Sequence, residues 1–310
     1  MEKDLIDFDY LSDDLRYADL FNGALFGGEQ IVDAAKFVEE DTKVVVSGEK
    51  KKQRTRDVIR KYGKETNYAV LGVENQEEVN YCMPFRVLEY ETAEYGKQVA
   101  KVRRKNREAK DLSTGEFLEK YRKTDKLCPC VTLVLYWGEN WDGPETLKDM
   151  MNLEELPEYM KPFVNDYPMH LVNVREFGDT GVFKTDLKQV FDFIKCSGSK
   201  EELQKLVMDN PAYEGLDMDA YDVMMAHANS KELEELRDKV EKEDGNMCKG
   251  LADWAKEERE LGIEQGILLY AYRMVERGRL SVKEALEDLK SSQDEEEFVA
   301  AMQAAGFKLP

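Results

Sequence analysis

The residues best placed to do chemistry are Asp57, Glu74 and Gln76. Asp57 opens an apolar run, Asp57-Val58-Ile59-Arg60-Lys61-Tyr62, and Glu74 stands near the end of a second, Asn67 to Gln76. Side chains two apart on a strand share a face, so Glu74 and Gln76 look at one spot if 67–76 is extended. Asp57 can face that spot from a neighbouring strand after one turn. Two converging carboxylates and a backbone carbonyl suit a hard divalent cation such as Mg²⁺. A cation held there polarises a scissile phosphate and activates a water. A third polar side chain, ordinarily a lysine, orients that water or stabilises developing negative charge; Gln76 stands in that place without a charge. In the plainer alternative, both carboxylates make ordinary surface hydrogen bonds. Against it, a carboxylate at the end of a nearly continuous apolar run is costly to bury unless it is used.

These side chains need a frame. Thr42 to Val46 reads as a strand, Ser47 to Thr55 as a basic loop, and 57–62 as a second strand. Gly63 to Thr66 makes a tight hairpin connection and 67–76 a third strand. A helix begins near Tyr81, with Pro84 in its first turn. Phe85, Leu88, Tyr95 and Val99 form its apolar stripe, and Arg86 and Tyr90 lie one turn apart on another. Ser113 and Glu116 have capping-box spacing. Val131 to Trp137 is a strand by β-propensity, Leu147 to Leu156 a helix, 170–177 a strand and 183–196 a helix. Ahead of all this, 1–13 reads as an acidic lead-in. Ser12 caps a helix that Gly27-Gly28 ends, and a short helix covers 29–38. Asp19, in the first of these helices, is a third acidic group near the cation or a solvated residue.

From about 200 the strand-like runs stop. Acidic amphipathic helices follow at roughly 200–209, 217–228, 230–243, 247–277, 281–290 and 294–304. Gly262 and Gly266 interrupt the long one. The expected division is therefore 1–200, α/β, and 201–310, all helical and suited either to self-association or to mimicking DNA charge and covering a basic groove.

Composition sets outer limits. The chain has 310 residues and a formal net charge of −20. Nucleic-acid binders are usually basic, so the overall charge argues against that class. The charge is uneven, however. Residues 201–310 carry 27 acids and 14 bases, a net of −13, against −7 for 1–200. Two basic clusters flank the carboxylate strands: Lys50, Lys51, Lys52, Arg54 and Arg56 in the first, Arg103 and Arg104 in the second. They are solvated faces or a phosphate-binding surface. No apolar run is long enough for a membrane span, and the acidic N-terminus has no signal core. Five scattered cysteines add to an expectation of a reducing cytoplasm. There is no phosphate loop and no nucleophile elbow. His170 and His227, the only histidines, lack zinc spacing.

The ordered set of motifs resembles the PD-(D/E)XK nuclease superfamily, and more closely the Rpn family of recombination-promoting nucleases. The matching stretches are Asp19-Leu20-Phe21 with Leu25-Phe26, Arg56-Asp57-Val58-Ile59, Gly72-Val73-Glu74-Asn75-Gln76, Met83 to Tyr90, Val131 to Gly138 and Trp141 to Pro144. Gly262 to Gly266 is similar more loosely. The resemblance implies a small mixed sheet flanked by helices and a metal-dependent DNA endonuclease linked to recombination or mobile DNA. Its metal would be Mg²⁺ or Ca²⁺, with Mn²⁺ as a substitute. By carry-over, Asp57 and Glu74 bind the metal, Gln76 takes the lysine position and Asp19 is the helix acid. DNA would be held by the two basic clusters and Arg86. The chain departs from the family pattern at Asn22, Asn75 and Glu77, and the last adds negative charge where a phosphate should lie. Those departures keep open an alternative: a nuclease-fold protein that binds DNA or a protein partner without cutting.

Overall fold

The computed structural model describes residues 3–39, 43–46, 52–55, 58–63, 69–228, 230, 233, 235–236, 247–289 and 294–309. Its centre is β5 (Ala69–Gln76), whose residues 70–75 are all buried. A strand covered on both faces needs apolar side chains in both registers, which Val70, Leu71 and Val73 supply. β4 (Val58–Tyr62) pairs antiparallel with β5, Val58 opposite Val73, and β1 (Phe37–Glu39) pairs antiparallel with β4. On the other side β6 (Cys130–Tyr136) runs parallel to β5, and β7 (His170–Asn173) parallel to β6. The sheet order is β1-β4-β5-β6-β7. β2 (Lys43–Val46) and β3 (Lys52–Thr55) form a separate antiparallel pair.

Directly paired residues share a face, so the register divides the sheet into two sides. One side carries Ile59, Val70, Glu74, Gln76, Thr132 and Val134, and α3 (Met83–Lys105) lies on it. The parallel β5–α3–β6 connection explains this helix, since parallel neighbours need a long crossover. The other side carries Val58, Arg60, Val73, Asn75 and Leu133. It is covered by α1 (Lys3–Leu11), α2 (Asp14–Phe26), α5 (Leu187–Cys196) and α7 (Met218–His227). Asp13 caps α2 through its side chain, and Gly27 ends it in the left-handed conformation (φ 59°).

Several expectations change. The lead-in 3–11 is helical, and 29–38 holds a 3₁₀ turn and β1. Part of the expected basic loop is β3. Residues 147–156 form only a 3₁₀ turn, Lys148–Met150, because Asp149 Oδ2 accepts from the backbone N–H groups of Glu145 and Thr146 and closes a turn instead. α3 buries Met83, Val87, Tyr90, Glu91 and Glu94, whereas Phe85 is exposed. α4 (Thr114–Glu119) has the expected capping box from Ser113. Residues 64–66 of the expected hairpin and most of 230–243 fall outside the described residues.

The chain divides into two compact units, 1–198 with 216–235, and 199–215 with 236–310. The second contains α6 (Lys200–Asp209), α8 (Met247–Glu276), α9 (Val282–Leu289) and α10 (Glu295–Ala304). Its core joins Tyr272, Val275, Leu286, Phe298 and Met302. α8 runs unbroken through Gly262 and Gly266, and a side chain added at either would meet open space. Among the described residues no helix is long and apolar enough to cross a membrane.

Candidate functional site around Glu74

Glu74 sits near the C-terminal end of β5, its side chain 3% exposed. A carboxylate so buried needs compensation, and α3 provides it. The Arg86 guanidinium ion-pairs with Glu74 Oε1, and the Tyr90 hydroxyl donates to the same oxygen at 3.2 Å. Arg86 also donates to the Tyr90 hydroxyl at 2.9 Å. Arg86 and Tyr90 are four apart, so one helical face presents both. Burial, with the Glu74 charge beside it, pushes the Tyr90 phenol up, which keeps it a hydrogen-bond donor. Arg86 remains 26% exposed at its side chain, so one end of this network reaches solvent.

Gln76 shares the face of Glu74 and donates to the Asn75 carbonyl at 2.6 Å. Beneath α3, Thr132 donates to Glu91 at 2.9 Å and Tyr167 donates to the second oxygen of that carboxylate. The polar stripe of α3 therefore serves buried groups of the sheet.

Asp19 lies elsewhere. Its Oδ2 accepts from the backbone N–H groups of Lys184 and Thr185 at 2.7 Å each and from the Thr185 hydroxyl at 2.8 Å. That pins the segment entering α5 against α2, on the sheet face opposite Glu74. Asp57 falls outside the described residues; in sequence it directly precedes Val58, which pairs with the neighbour of Glu74. Lys50, Lys51 and Arg56 also fall outside them, and only the backbone of Lys52 and Arg54 is described, in β3. Arg103 and Arg104 are exposed near the far end of α3, and Arg103 pairs with Glu119. Arg104 is 18 residues beyond Arg86 on that helix, about 27 Å at 1.5 Å per residue.

The three departures from the family pattern have structural duties. Asn22 accepts from the N–H groups of Ile31 and Val32 and donates to the Val32 carbonyl at 2.9 Å. Asn75 accepts from the Trp137 indole at 3.2 Å. Glu77 pairs with Lys3 and lies 3.3 Å from His227 Nδ1, so its charge is matched away from Glu74.

This last contact belongs to a cluster that motif reading missed. His227 Nε2 lies 2.7 Å from Asp7, and the imidazole stacks on Trp137 with centroids 4.4 Å apart. Burial depresses the imidazole, but its hydrogen bonds to Asp7 and Glu77 outweigh this and raise its pKa. The hydrogen bond from His227 is the main cause holding Glu77 down at about 2. Asp7 itself is pushed up by burial, with His227 opposing. The one sequence signal was a histidine inside the apolar run Val223 to Ala228.

The groups described around Glu74 are the Tyr90 phenol, which donates to it, and the Arg86 guanidinium, which already offsets its charge; Gln76 shares its face of β5. The carboxylate and amide oxygens are of the type that suits a hard cation rather than a soft one. Among the described residues no group of three His, Cys, Asp or Glu side chains could hold a metal ion. Mg²⁺ does not require such a cage, because it binds through one or two carboxylates together with waters and substrate phosphates. In donor type the site therefore fits Mg²⁺ better than Ca²⁺, which takes six to eight oxygens. Comparison of the chain with protein-family models, with curated proteins and with solved structures returns no match.

Proposed function

We propose that this chain is a PD-(D/E)XK-type nuclease related to the Rpn family, which hydrolyses phosphodiester bonds in DNA with a divalent metal ion held by Asp57 and Glu74. One observation carries the reading: a fully buried carboxylate, Glu74, near the end of the central strand, held by Arg86 and Tyr90 of α3. A purely structural strand has no use for that burial, since an apolar residue of similar size costs less. The element order supports it as well: a helix, two antiparallel strands, a helix and a parallel strand.

When bound, the metal supplies Lewis acidity toward a phosphate oxygen and an activated water. The chain's own groups do the rest. Tyr90 fixes the Glu74 carboxylate through its hydroxyl. Gln76 orients water by hydrogen bonding, without the charge of a lysine. Arg86, partly exposed beside Glu74, offers a guanidinium that matches a phosphate in shape. Lys50, Lys51, Lys52, Arg54 and Arg56, with Arg103 and Arg104, supply further cations along the DNA. Asp19 has no role in this chemistry. Nicking of supercoiled plasmid with Mg²⁺ or Mn²⁺, with and without EDTA, tests the proposal. Asp57→Ala and Glu74→Ala should each lower cleavage at least 100-fold while circular dichroism stays native. Undiminished cleavage in either variant removes the site assignment.

A second reading, binding of DNA or a protein partner without cutting, is favoured by Arg86 standing on Glu74. It predicts retarded DNA on a gel and no metal-dependent nicking.

A further inference from the structure

The chain between β6 and β7, residues 137–169, contains no α-helix and only two 3₁₀ turns. It starts at the carboxyl end of β6, beside the carboxyl end of the parallel strand β5. Loops at that end of parallel strands are where open sheets bind ligands. An open cleft of about 780 Å³ lies there. Its walls include Tyr81 from the loop after β5, and Asp142, Gly143, Glu145, Asp149 and Met150 from the loop after β6. Residues 139–149 hold four acids and one base, Lys148. Burial raises the Tyr136 phenol, and the charges of Glu78, Asp142 and Glu139 raise it further. A cleft of that sign selects a cation. Among the described residues no three acidic, histidine or cysteine side chains converge to hold one ion, so these carboxylates are spaced for a chain of cations.

Two observations decide between a linear polyamine and a basic peptide. The Trp141 indole nitrogen is buried and has no hydrogen-bond partner among the described residues. A Cβ at Gly143 would stand 3.2 Å from Cε2 of that ring, the carbon bonded to the nitrogen, so the bare Gly143 backbone lies along this edge of the indole in the cleft wall. An indole N–H can only donate, and so can an ammonium group, whereas a peptide carbonyl accepts. The walls also expose apolar surface: Tyr81 is 62% and Met150 37% exposed. Methionine and aromatic side chains pack adaptably against the apolar side chains of a peptide, which a polyamine lacks. We infer that this cleft docks an extended basic segment of a partner protein. Its lysine or arginine side chains meet Asp142 and Glu145, apolar side chains between them rest on Tyr81 and Met150, and a backbone carbonyl accepts from the Trp141 indole. The Tyr81 hydroxyl donates to Asp142 at 2.9 Å, which ties the two loops together and fixes both walls. Asp149 accepts from the N–H groups of Glu145 and Thr146, so it shapes the wall. This docking does not depend on a metal at Glu74.

Fluorescence anisotropy of a dye-tagged nine-residue peptide alternating lysine and leucine, added to the full chain at physiological salt, tests this. The peptide should bind. Asp142→Asn combined with Glu145→Gln removes two charges and keeps the shape, and should weaken binding at least tenfold. The charge-matched pair Glu201→Gln with Asp209→Asn, on α6, should change it less than twofold. Equal losses in the two double variants would mean that the peptide senses only the overall acidity of the chain, and would overturn the inference, as would absence of binding to the wild type. Should the first double variant fail to fold, the wild-type ¹H–¹⁵N spectrum decides. The Trp141 indole signal, identified by its loss in Trp141→Phe, should move when the peptide binds and stay in place with spermine. An indole signal that the peptide leaves unmoved, or that spermine moves equally, takes the peptide backbone out of the cleft and overturns the assignment.

Discussion

Two acids in this chain carry the same sequence credentials and do different work. Asp19 and Glu74 both lie in apolar surroundings and both are buried, yet Asp19 is committed to the segment that enters α5. Its Oδ2 accepts three hydrogen bonds, two of them from the backbone N–H groups of Lys184 and Thr185. Asp19→Asn keeps the shape, but it weakens charge-assisted bonds and places an amide N–H₂ where Oδ1 has no hydrogen-bond partner among the described residues. We expect a loss of about 1–3 kcal/mol in urea unfolding. Cleavage by the folded variant should be unchanged, which separates it from Glu74→Ala. Tyr90→Phe removes one hydrogen bond to Glu74 and leaves Arg86 in place, so its cost should be nearer 1 kcal/mol. Glu74 was legible in the sequence because a lone charge near the end of an apolar strand has few benign explanations. The duty of Asp19 was not legible, because its partners lie 165 and 166 residues away.

The same contrast separates elements. β5, α3 and β6 could be read directly from their apolar runs and from Pro84, since local propensity and burial agree there. The buried face of α3 could not. It packs Tyr90, Glu91 and Glu94 over a sheet that itself carries Glu74 and Thr132, so the core-facing stripe reads as a surface. α1 was hidden by its acids, although Ile6, Tyr10 and Leu11 are its inward positions. α2 depends on Gly23: a Cβ there would lie 2.2 Å from the ring of Phe183. Gly23→Ala should therefore cost about 1–3 kcal/mol by overpacking, measured as a lower urea midpoint. α7 is held by the Asp7–His227–Glu77 cluster, which gives the fold a pH dependence. The pKa of His227 is raised, so its contribution is complete below the ordinary 6.5 and disappears as pH rises through the shifted value. Glu77 is lowered to about 2, so its contribution is present above 4.5 and lost as pH falls toward 2. Asp7, raised by burial, gains on the acid side and makes that loss shallower. The charged groups facing the imidazole environment are Asp7 and Asp4 from α1, Glu77 after β5, and Lys3 on Glu77. Stability should peak between pH 4.5 and 6.5. His227→Gln, which leaves Asp7 buried without its cation, should cost about 3 kcal/mol at pH 5.5. The difference from wild type should shrink by pH 9, and a gap that does not vary with pH would remove His227 as its source.

At the scale of the molecule, the boundary at 200 suggested by composition is not where the contacts divide. α7 belongs with residues 1–198: Arg16 on α2 reaches Asp186 at 2.8 Å and Asp217 at 3.1 Å, and Arg175 donates to the His227 carbonyl at 2.9 Å. A chain ending at 200 would strip His227 from Trp137 and uncover Asp7, so we expect it to lack a cooperative urea transition. A chain ending at Glu235 should keep one, with a native near-ultraviolet signal from Trp137. This bears on the acidity of the C-terminal half. Residues 201–235 carry 10 acids and 2 bases, a net of −8, while 236–310 carry 17 and 12, a net of −5. Most of the charge that looked like a detachable acidic tail therefore lies in the stretch that contains α7, and its Asp217 is already spent on Arg16. If 236–310 acted as a DNA mimic over a basic groove, its removal would tighten DNA binding more than tenfold. The charge distribution argues for less, because a chain ending at Glu235 still has a net charge of −15 and the long-range field on DNA scarcely changes. Fluorescence anisotropy with a short duplex at two salt concentrations should show a change below tenfold and a nearly equal salt slope for the full and shortened chains. A steeper slope in the shortened chain would mean that new phosphate contacts had been uncovered, and would restore the tail as a cover for the basic surface.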